Sequence, residues 1–116
     1  MKSALKTFKA LSDPNRLRIF MMLREKQLCV CKIVDILGLA TSTVSKHLSI
    51  LREADLISDQ KDGRWVNYEL SSQDHSHLFA LLDEQLAKDA TISSDLDLIA
   101  DVDRFQICTP EELAST

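Results

Sequence analysis

This sequence of 116 residues has few of the residues that build turns and sheets. It contains only two glycines and two prolines, and aromatic side chains make up 5% of it. Such a composition favours a helix-rich fold over an all-β one. The length suits one compact domain with a modest core.

Long apolar segments are also missing. No apolar run approaches the roughly 18 residues that cross a membrane, and the N-terminus lacks the apolar region of a signal peptide. The three cysteines are an odd number in a chain without a secretion signal, which favours reduced thiols. We therefore expect a cytoplasmic protein with no membrane partner.

Signatures of catalysis are absent as well. The sequence has no glycine-rich phosphate loop and no pairing of a nucleophile with a base. It therefore predicts a protein that is not an enzyme and that requires no cofactor.

Positive charge is scarce in the chain as a whole, whose formal net charge is −4. Residues 1–70 nevertheless contain 12 Lys and Arg against 8 Asp and Glu, a balance of +4. Residues 71–116 contain 2 against 10, a balance of −8. The chain is therefore polarised, and its basic part favours a nucleic-acid partner.

The basic part contains a candidate DNA-reading helix over residues 41–54, TSTVSKHLSILREA. Its apolar residues have nearly the spacing of one buried helix face, and they are Val44, Leu48, Ile50, Leu51 and Ala54. The remaining positions carry groups that can contact bases and phosphates, namely Thr41, Ser42, Thr43, Ser45, Lys46 and His47. The preceding helix ends at Gly38, which predicts a helix-turn-helix. An ordinary amphipathic pair in a helical core is the alternative.

A hairpin is predicted directly after this helix. Asp62-Gly63 separates residues 55–60 from the alternating strand WVNYEL, and this dipeptide favours a tight turn. Lys61 and Arg64 flank the tip, where a wing would meet the DNA backbone. We therefore predict a mainly α fold with a small β-hairpin, a winged helix-turn-helix.

The rest of the chain is assigned from helix signals. A first helix runs from Lys2 to Leu11, a second begins after a cap at Ser12 or Asp13 and continues to about Glu25, and a third covers residues 27–38. A last helix, capped by Ser71-Ser72, runs to about Asp89. We expect residues 1–90 to form the DNA-binding and dimerisation domain and residues 91–116 an acidic, weakly ordered tail.

An apolar stripe on the last helix is wider than a small core requires. It comprises Leu78, Phe79, Leu81, Leu82 and Leu86. The first helix has an apolar face at Leu5 and Phe8. We expect these faces to build a homodimer. Packing within one chain is the alternative.

Cys29 and Cys31 lie at the predicted start of the third helix. In a regular helix their side chains would point about 200° apart, whereas in an extended segment both sulfurs can face one ion. Thiolates select thiophilic ions over Mg or Ca. Two small buried hydrophobic residues are the alternative. A site of three sulfurs would use Cys108, the remaining cysteine.

Three segments together resemble the ArsR/SmtB family of metal-responsive winged-helix repressors: LSDPNRLRIFMML, QLCVCKIVDILGLATSTVSKHLSILREADLI and KDGRWVNYEL. The resemblance covers roughly residues 4–88 and is strongest to the arsenic-responsive branch. It implies a homodimer that binds double-stranded operator DNA and releases it when cysteines at the start of the third helix bind arsenite or antimonite.

The sequence also departs from the family's branches. The arsenic branch often has a third cysteine where Val34 stands, and the cadmium and lead branch adds N-terminal cysteines that this chain lacks. Ala40 replaces the usual serine before the recognition helix, which leaves Thr41 as the predicted cap. We therefore predict an arsenite- or antimonite-responsive repressor with metal ligands Cys29, Cys31 and Cys108. A regulator switched by thiol oxidation or by Cd or Pb, and a small thiol redox or metal-carrier protein, are the alternatives.

Overall fold

The computed structural model describes residues 1–63 and 65–100, which form helices around a small sheet. The elements in chain order are α1 (Lys2–Leu11), α2 (Pro14–Glu25), β1 (Leu28–Cys29), α3 (Val30–Leu37), α4 (Thr41–Glu53), β2 (Ile57–Asp62), β3 (Trp65–Leu70), α5 (Ser76–Leu86) and α6 (Ala90–Ala100). Between residues 1 and 100, Arg64 aside, no helix is long and apolar enough to cross a membrane.

Helix α2 is the centre of the core. The side chains of residues 19–23 are all buried, and α1, α4 and α6 pack against this helix. Asp13 caps it, because its carboxylate accepts the backbone N–H groups of Asn15 and Arg16 at 2.8 and 3.2 Å. Burial alone raises the pKa of Asp13, but these two hydrogen bonds bring it below its ordinary value.

The three strands form one antiparallel sheet in the order β1-β3-β2. Strands β2 and β3 are the predicted hairpin, in register from Ile57 opposite Leu70 to Asp62 opposite Trp65. Gly63 lies in the turn with a φ of +65°, a conformation that glycine adopts without strain.

Strand β1 was not predicted. The sequence places residues 27–29 in the third helix, whereas Leu28 and Cys29 pair with Tyr68 and Asn67 of β3. A strand of two residues has too short a pattern to be recognised, and its partner lies far along the chain. The helix itself begins at Val30 and ends at Gly38, whose φ is +67° and whose N–H bonds to the carbonyl of Val34.

Helix α5 begins later than its sequence indicates, at Ser76 rather than after Ser71-Ser72. The hydroxyl of Ser71 donates instead to the carbonyl oxygen of Asp55 at 2.7 Å, which fixes the end of β3 against the end of α4. Asp74 accepts the N–H of Ser76 at 2.9 Å, and this hydrogen bond lowers the pKa of Asp74.

Helix α6 replaces the first part of the predicted tail. The sequence suggests weak order over residues 91–116, whereas residues 90–100 are helical, with Ile92 and Ile99 buried. Asp95 is buried as well and accepts two hydrogen bonds from Arg18 of α2, at 2.8 and 2.9 Å. The partner that orders this helix is thus remote in sequence. Residues 101–116 lie outside the described residues.

The apolar stripe of α5 is divided between two environments. Leu78, Leu82 and Leu86 are half-buried against the chain's own core, so packing within the chain accounts for them. Phe79 is buried and stacks on Phe20 with ring centroids 4.6 Å apart. Among the large apolar side chains that stay exposed are Leu5, Phe8 and Leu81.

Candidate DNA-binding surface and thiol pair

Helix α4 presents a polar surface because its buried apolar residues share one side, from which Ile50, predicted to be buried, is absent because it is exposed. Val44, Leu48 and Leu51 are buried, while Ser42, Thr43, Ser45 and Lys46 are exposed and Thr41 and His47 are half-buried. Ala40, not Thr41, occupies the N-cap position, and Thr41 is the first helical residue. The exposed hydroxyls and ammonium group are suited to hydrogen bonds with bases and phosphates.

His47 has an intramolecular role that the sequence did not reveal. Its Nδ1 lies 3.1 Å from Nη1 of Arg16. Since a guanidinium only donates, Nδ1 is the acceptor and the ring proton resides on Nε2. Arg16 also donates from Nε to the carbonyl oxygen of Ala10 at 2.7 Å. The two side chains therefore connect α4 to the end of α1.

The wing contributes Lys61, which is exposed near the end of β2. Arg64, the other predicted wing cation, lies outside the described residues. An exposed ion pair between Arg52 and Asp59, 3.3 Å apart, joins α4 to β2. Such a pair contributes at most about 1 kcal/mol, so the hairpin is oriented mainly by its buried residue Ile57 and by the β1 pairing.

Cys29 and Cys31 are brought together in the fold. Their Sγ atoms lie 3.1 Å apart, and both residues are buried. Cys29 has extended backbone angles as the N-cap of α3, while Cys31 is in its first turn. The helix does not have to unwind for the sulfurs to converge, contrary to what a regular helix over both residues would require.

A third ligand is not provided by the described part of the chain. Within residues 1–63 and 65–100, no three His, Cys, Asp or Glu side chains are grouped so as to hold a metal ion. Cys108 lies outside these residues. The sequence therefore identified the converging pair, and the third position stays a prediction.

Comparison with known proteins identifies the family. The pattern described as "Bacterial regulatory protein, arsR family" matches residues 13–59, from α2 into β2. An uncharacterized HTH-type transcriptional regulator of Methanocaldococcus jannaschii is 38% identical over 84 residues, 72% of this chain and 94% of its own length. The arsenical resistance operon repressor of Escherichia coli is 38% identical over 81 residues, 69% of each chain. This chain belongs to the arsR family.

Other members of the arsR family differ in what their names say they respond to. A cadmium resistance transcriptional regulatory protein of Staphylococcus aureus is 33% identical over 90 residues, 77% of this chain and 72% of its own. Membership therefore makes this chain a DNA-binding transcriptional repressor and not an enzyme, as predicted, but leaves its inducer open.

Solved structures confirm the winged helix-turn-helix. HlyU of Vibrio cholerae superposes with a TM-score of 0.68 at 31% identity, covering 75% of this chain and 95% of its own. The homodimeric winged helix-turn-helix domain of a possible ArsR-family regulator of Mycobacterium bovis superposes with a TM-score of 0.65 at 24% identity, covering 88% and 87%.

Proposed function

We propose that this arsR-family protein is a cytoplasmic, dimeric repressor that binds operator DNA without ligand and is released by trivalent arsenic or antimony. The observation that carries the proposal is the contact of two buried sulfurs, 3.1 Å apart, where the wing sheet meets the support helix α3. The ligand binds to Cys29 and Cys31.

The spacing of the sulfurs suits one thiophilic ion. Two metal–sulfur bonds of about 2.3 Å each can join one ion to sulfurs that lie up to about 4.6 Å apart. The observed separation of 3.1 Å is within this reach. Burial of both residues excludes water. A buried thiolate site favours thiophilic ions over strongly hydrated ions such as Mg²⁺.

The position of the pair supports coupling to DNA binding. The backbone of Cys29 is paired with Asn67 in β3, and β3 is the central strand that also pairs with β2 of the wing. Cys31 belongs to α3, which packs against α4. An ion that binds both sulfurs connects the wing strands to α3. If ion binding changes the distance between the two sulfurs, the position of the wing relative to α4 should change as well.

The third ligand of the proposed site is Cys108. Trivalent arsenic favours three thiolates in a pyramid, and the chain contains three cysteines. Because closing a long loop costs entropy only logarithmically with its length, the distance in sequence is no obstacle. A site of two thiolates completed by water or by a small thiol is the competitor.

The DNA-reading surface of the proposal combines α4 with the wing. Base and phosphate contacts are assigned to Thr41, Ser42, Thr43, Ser45, Lys46 and His47, and backbone contacts to Lys61 and Arg64. The exposed polar side of α4 supports the first group. His47 retains an N–H on Nε2 for a phosphate while its Nδ1 stays on Arg16.

The dimer of the proposal uses the apolar side chains that the single chain leaves in solvent. Leu5, Phe8 and Leu81 are 50%, 64% and 51% exposed. Burying them in a second copy gives two recognition helices, which would read half-sites about 34–36 Å apart. Sedimentation showing only monomer at micromolar concentration would contradict this assembly.

Arsenite-dependent release is the main test. The parent protein first selects a DNA duplex from a randomised pool, and this duplex is labelled. Its fluorescence anisotropy with bound protein is then measured as arsenite is added. The buffer contains a phosphine reductant and no added thiol. Arsenite should release the parent protein. Cys29→Ala and Cys31→Ala should still bind DNA but no longer respond, because each removes one of two converging thiolates. Release of both variants at the parent's arsenite concentration would refute the site.

X-ray absorption decides the third ligand. The parent loaded with arsenite should show three sulfur neighbours, and Cys108→Ser should show two. Three sulfurs in both proteins, with no other thiol present, would exclude Cys108.

Thiol oxidation is a second candidate, which the same 3.1 Å contact favours. Two thiols would give up two protons and two electrons to a peroxide, which is reduced to water, and would form one disulfide. Release by hydrogen peroxide that dithiothreitol reverses, without any response to arsenite or cadmium, would select this mechanism.

A further inference from the structure

Helix α1 carries three lysines along one side. Lys2, Lys6 and Lys9 are spaced by four and three residues, so their side chains project from the same side of the helix. All three are exposed. Ala10, four residues after Lys6, is buried at one border of this row, and the exposed Leu5, four residues before Lys9, lies at the other border, with Phe8 beyond it. The lysine row therefore adjoins the face assigned to the dimer.

The row lies beside the recognition helix. Lys6, Lys9 and Ala10 line a shallow groove between α1 and α4, whose other wall is formed by Ile50, Glu53 and Ala54. Ile50 also lines the adjoining concavity, together with Ser45, Lys46 and Ser49. One continuous surface therefore leads from Lys46 on the DNA-reading side of α4 to the lysines of α1.

The row is also held in position. Arg16 donates to the carbonyl oxygens of Lys9 and Ala10 at 3.4 and 2.7 Å, and its Nη1 contacts His47 of α4 at 3.1 Å. Ser12 donates to the same Lys9 carbonyl at 2.7 Å. The end of α1 is therefore fixed relative to the recognition helix by side-chain hydrogen bonds.

We infer that Lys6 and Lys9 bind phosphates of the operator backbone and so extend the DNA footprint of α4 along α1. In the part of the chain that the structure describes, neither lysine is joined to a carboxylate by an ion pair. Their ammonium groups are therefore available to a polyanion, and the surface that carries them is continuous with the proposed DNA-reading surface. The inference rests on the proposed role of α4.

The phosphate contacts predict a salt dependence, not a sequence preference. Each lost phosphate contact reduces the magnitude of the slope of log affinity against log salt by about 0.9. The change in affinity between 1 M and 0.1 M salt then becomes roughly eightfold smaller. Lys6→Gln/Lys9→Gln keeps good helix formers in α1 and should reduce the slope by up to about 1.8. Base preference, measured on duplexes with single substitutions, should not change.

Three further variants make the test specific. Lys6→Arg/Lys9→Arg should retain the parent slope, because the charge is preserved. Lys88→Gln removes an equally exposed cation from the link between α5 and α6 and should leave the slope unchanged. Lys46→Gln reports on α4 itself. Sedimentation of every variant accompanies the DNA measurements.

The outcomes are distinguishable. If Lys6→Gln/Lys9→Gln has the same salt slope as the parent while Lys46→Gln has a reduced one, the inference is wrong and the role of α4 is intact. A parent slope in both would overturn the reading surface as well. If Lys6→Gln/Lys9→Gln sediments as a monomer while the parent is a dimer, the row faces the acidic helices of a second copy and the inference fails.

Discussion

Helices α4 and α6 are similar in length and both pack on α2, but they are held there by different interactions. The buried residues of α4 are Val44, Leu48 and Leu51, all apolar. The buried residues of α6 include Asp95 between Ile92 and Ile99. The core contacts of α4 are therefore all apolar, whereas those of α6 include an ion pair with a cation of α2.

The difference separates a helix that leaves polar side chains in solvent from one that uses a charged side chain inside the fold. Because the buried side chains of α4 are all apolar, exposed polar groups such as Ser45 and Lys46 are left for a ligand, although His47 is tied to Arg16. In α6 a charged side chain is used internally, in a bidentate pair with Arg18. The hydrogen bond to Asp95 raises the pKa of Arg18 further above its ordinary value, which keeps the guanidinium charged.

Removing the carboxylate from α6 should have the largest effect. Asp95→Ala leaves Arg18 partly buried without its partner, and breaking such a pair costs about 3–5 kcal/mol when both charges are fully buried. The side chain of Arg18 is 21% exposed, so we expect about 2–4 kcal/mol. Urea unfolding measures the loss, and hydrogen exchange should locate it in residues 90–100.

Asp97 provides the matched control for that variant. It is exposed on the same helix, so Asp97→Ala should change the free energy of unfolding by less than about 0.5 kcal/mol. If the two variants unfold at the same urea concentration, the ion pair does not hold α6.

Removing the cation from α4 should change DNA binding rather than folding. Lys46→Ala is expected to lower the slope of log affinity against log salt by about 0.9, with an unchanged unfolding midpoint. Ser45→Ala and Thr43→Ala should instead alter the preferred base sequence. Parent-like DNA binding in all three variants would place the reading surface elsewhere.

Removing the cap of α2 should destabilise α4 and α6 equally. The loss of unfolding free energy should be smaller than the loss in Asp95→Ala. Asp13→Ala is expected to cost about 1 kcal/mol. Because the pKa of Asp13 in the folded state lies below the ordinary value of 3.8, the cap stabilises the fold fully above that pH. Its contribution disappears as the pH falls through the folded-state pKa.

Unfolding curves of parent and Asp13→Ala should therefore converge in acid. A constant difference between them down to pH 2, which lies well below the ordinary carboxyl pKa of about 3.9, would contradict the role of the carboxylate. If backbone hydrogen exchange in Asp13→Ala increases more in α6 than in α4, the two helices do not share α2 as a common support.

The sequence by itself determined the recognition helix and the wing. Val44, Leu48 and Leu51 have helical spacing, Gly38 ends the preceding helix, and Asp62-Gly63 forms the hairpin turn. Each of these signals acts within a few residues. They could therefore be read without knowing what lies across the fold.

Tertiary structure decided what depended on remote partners. Cys29 is extended because β3 pairs with β1, and that pairing, not an unwound helix, brings its sulfur to Cys31. Residues 90–100 pack on α2 through the buried Ile92 and Ile99 and through Asp95, which meets Arg18 across 77 positions of the chain. His47 is tied to Arg16 in the same way. Such contacts leave no periodic trace in the sequence, since either partner alone resembles an ordinary surface residue.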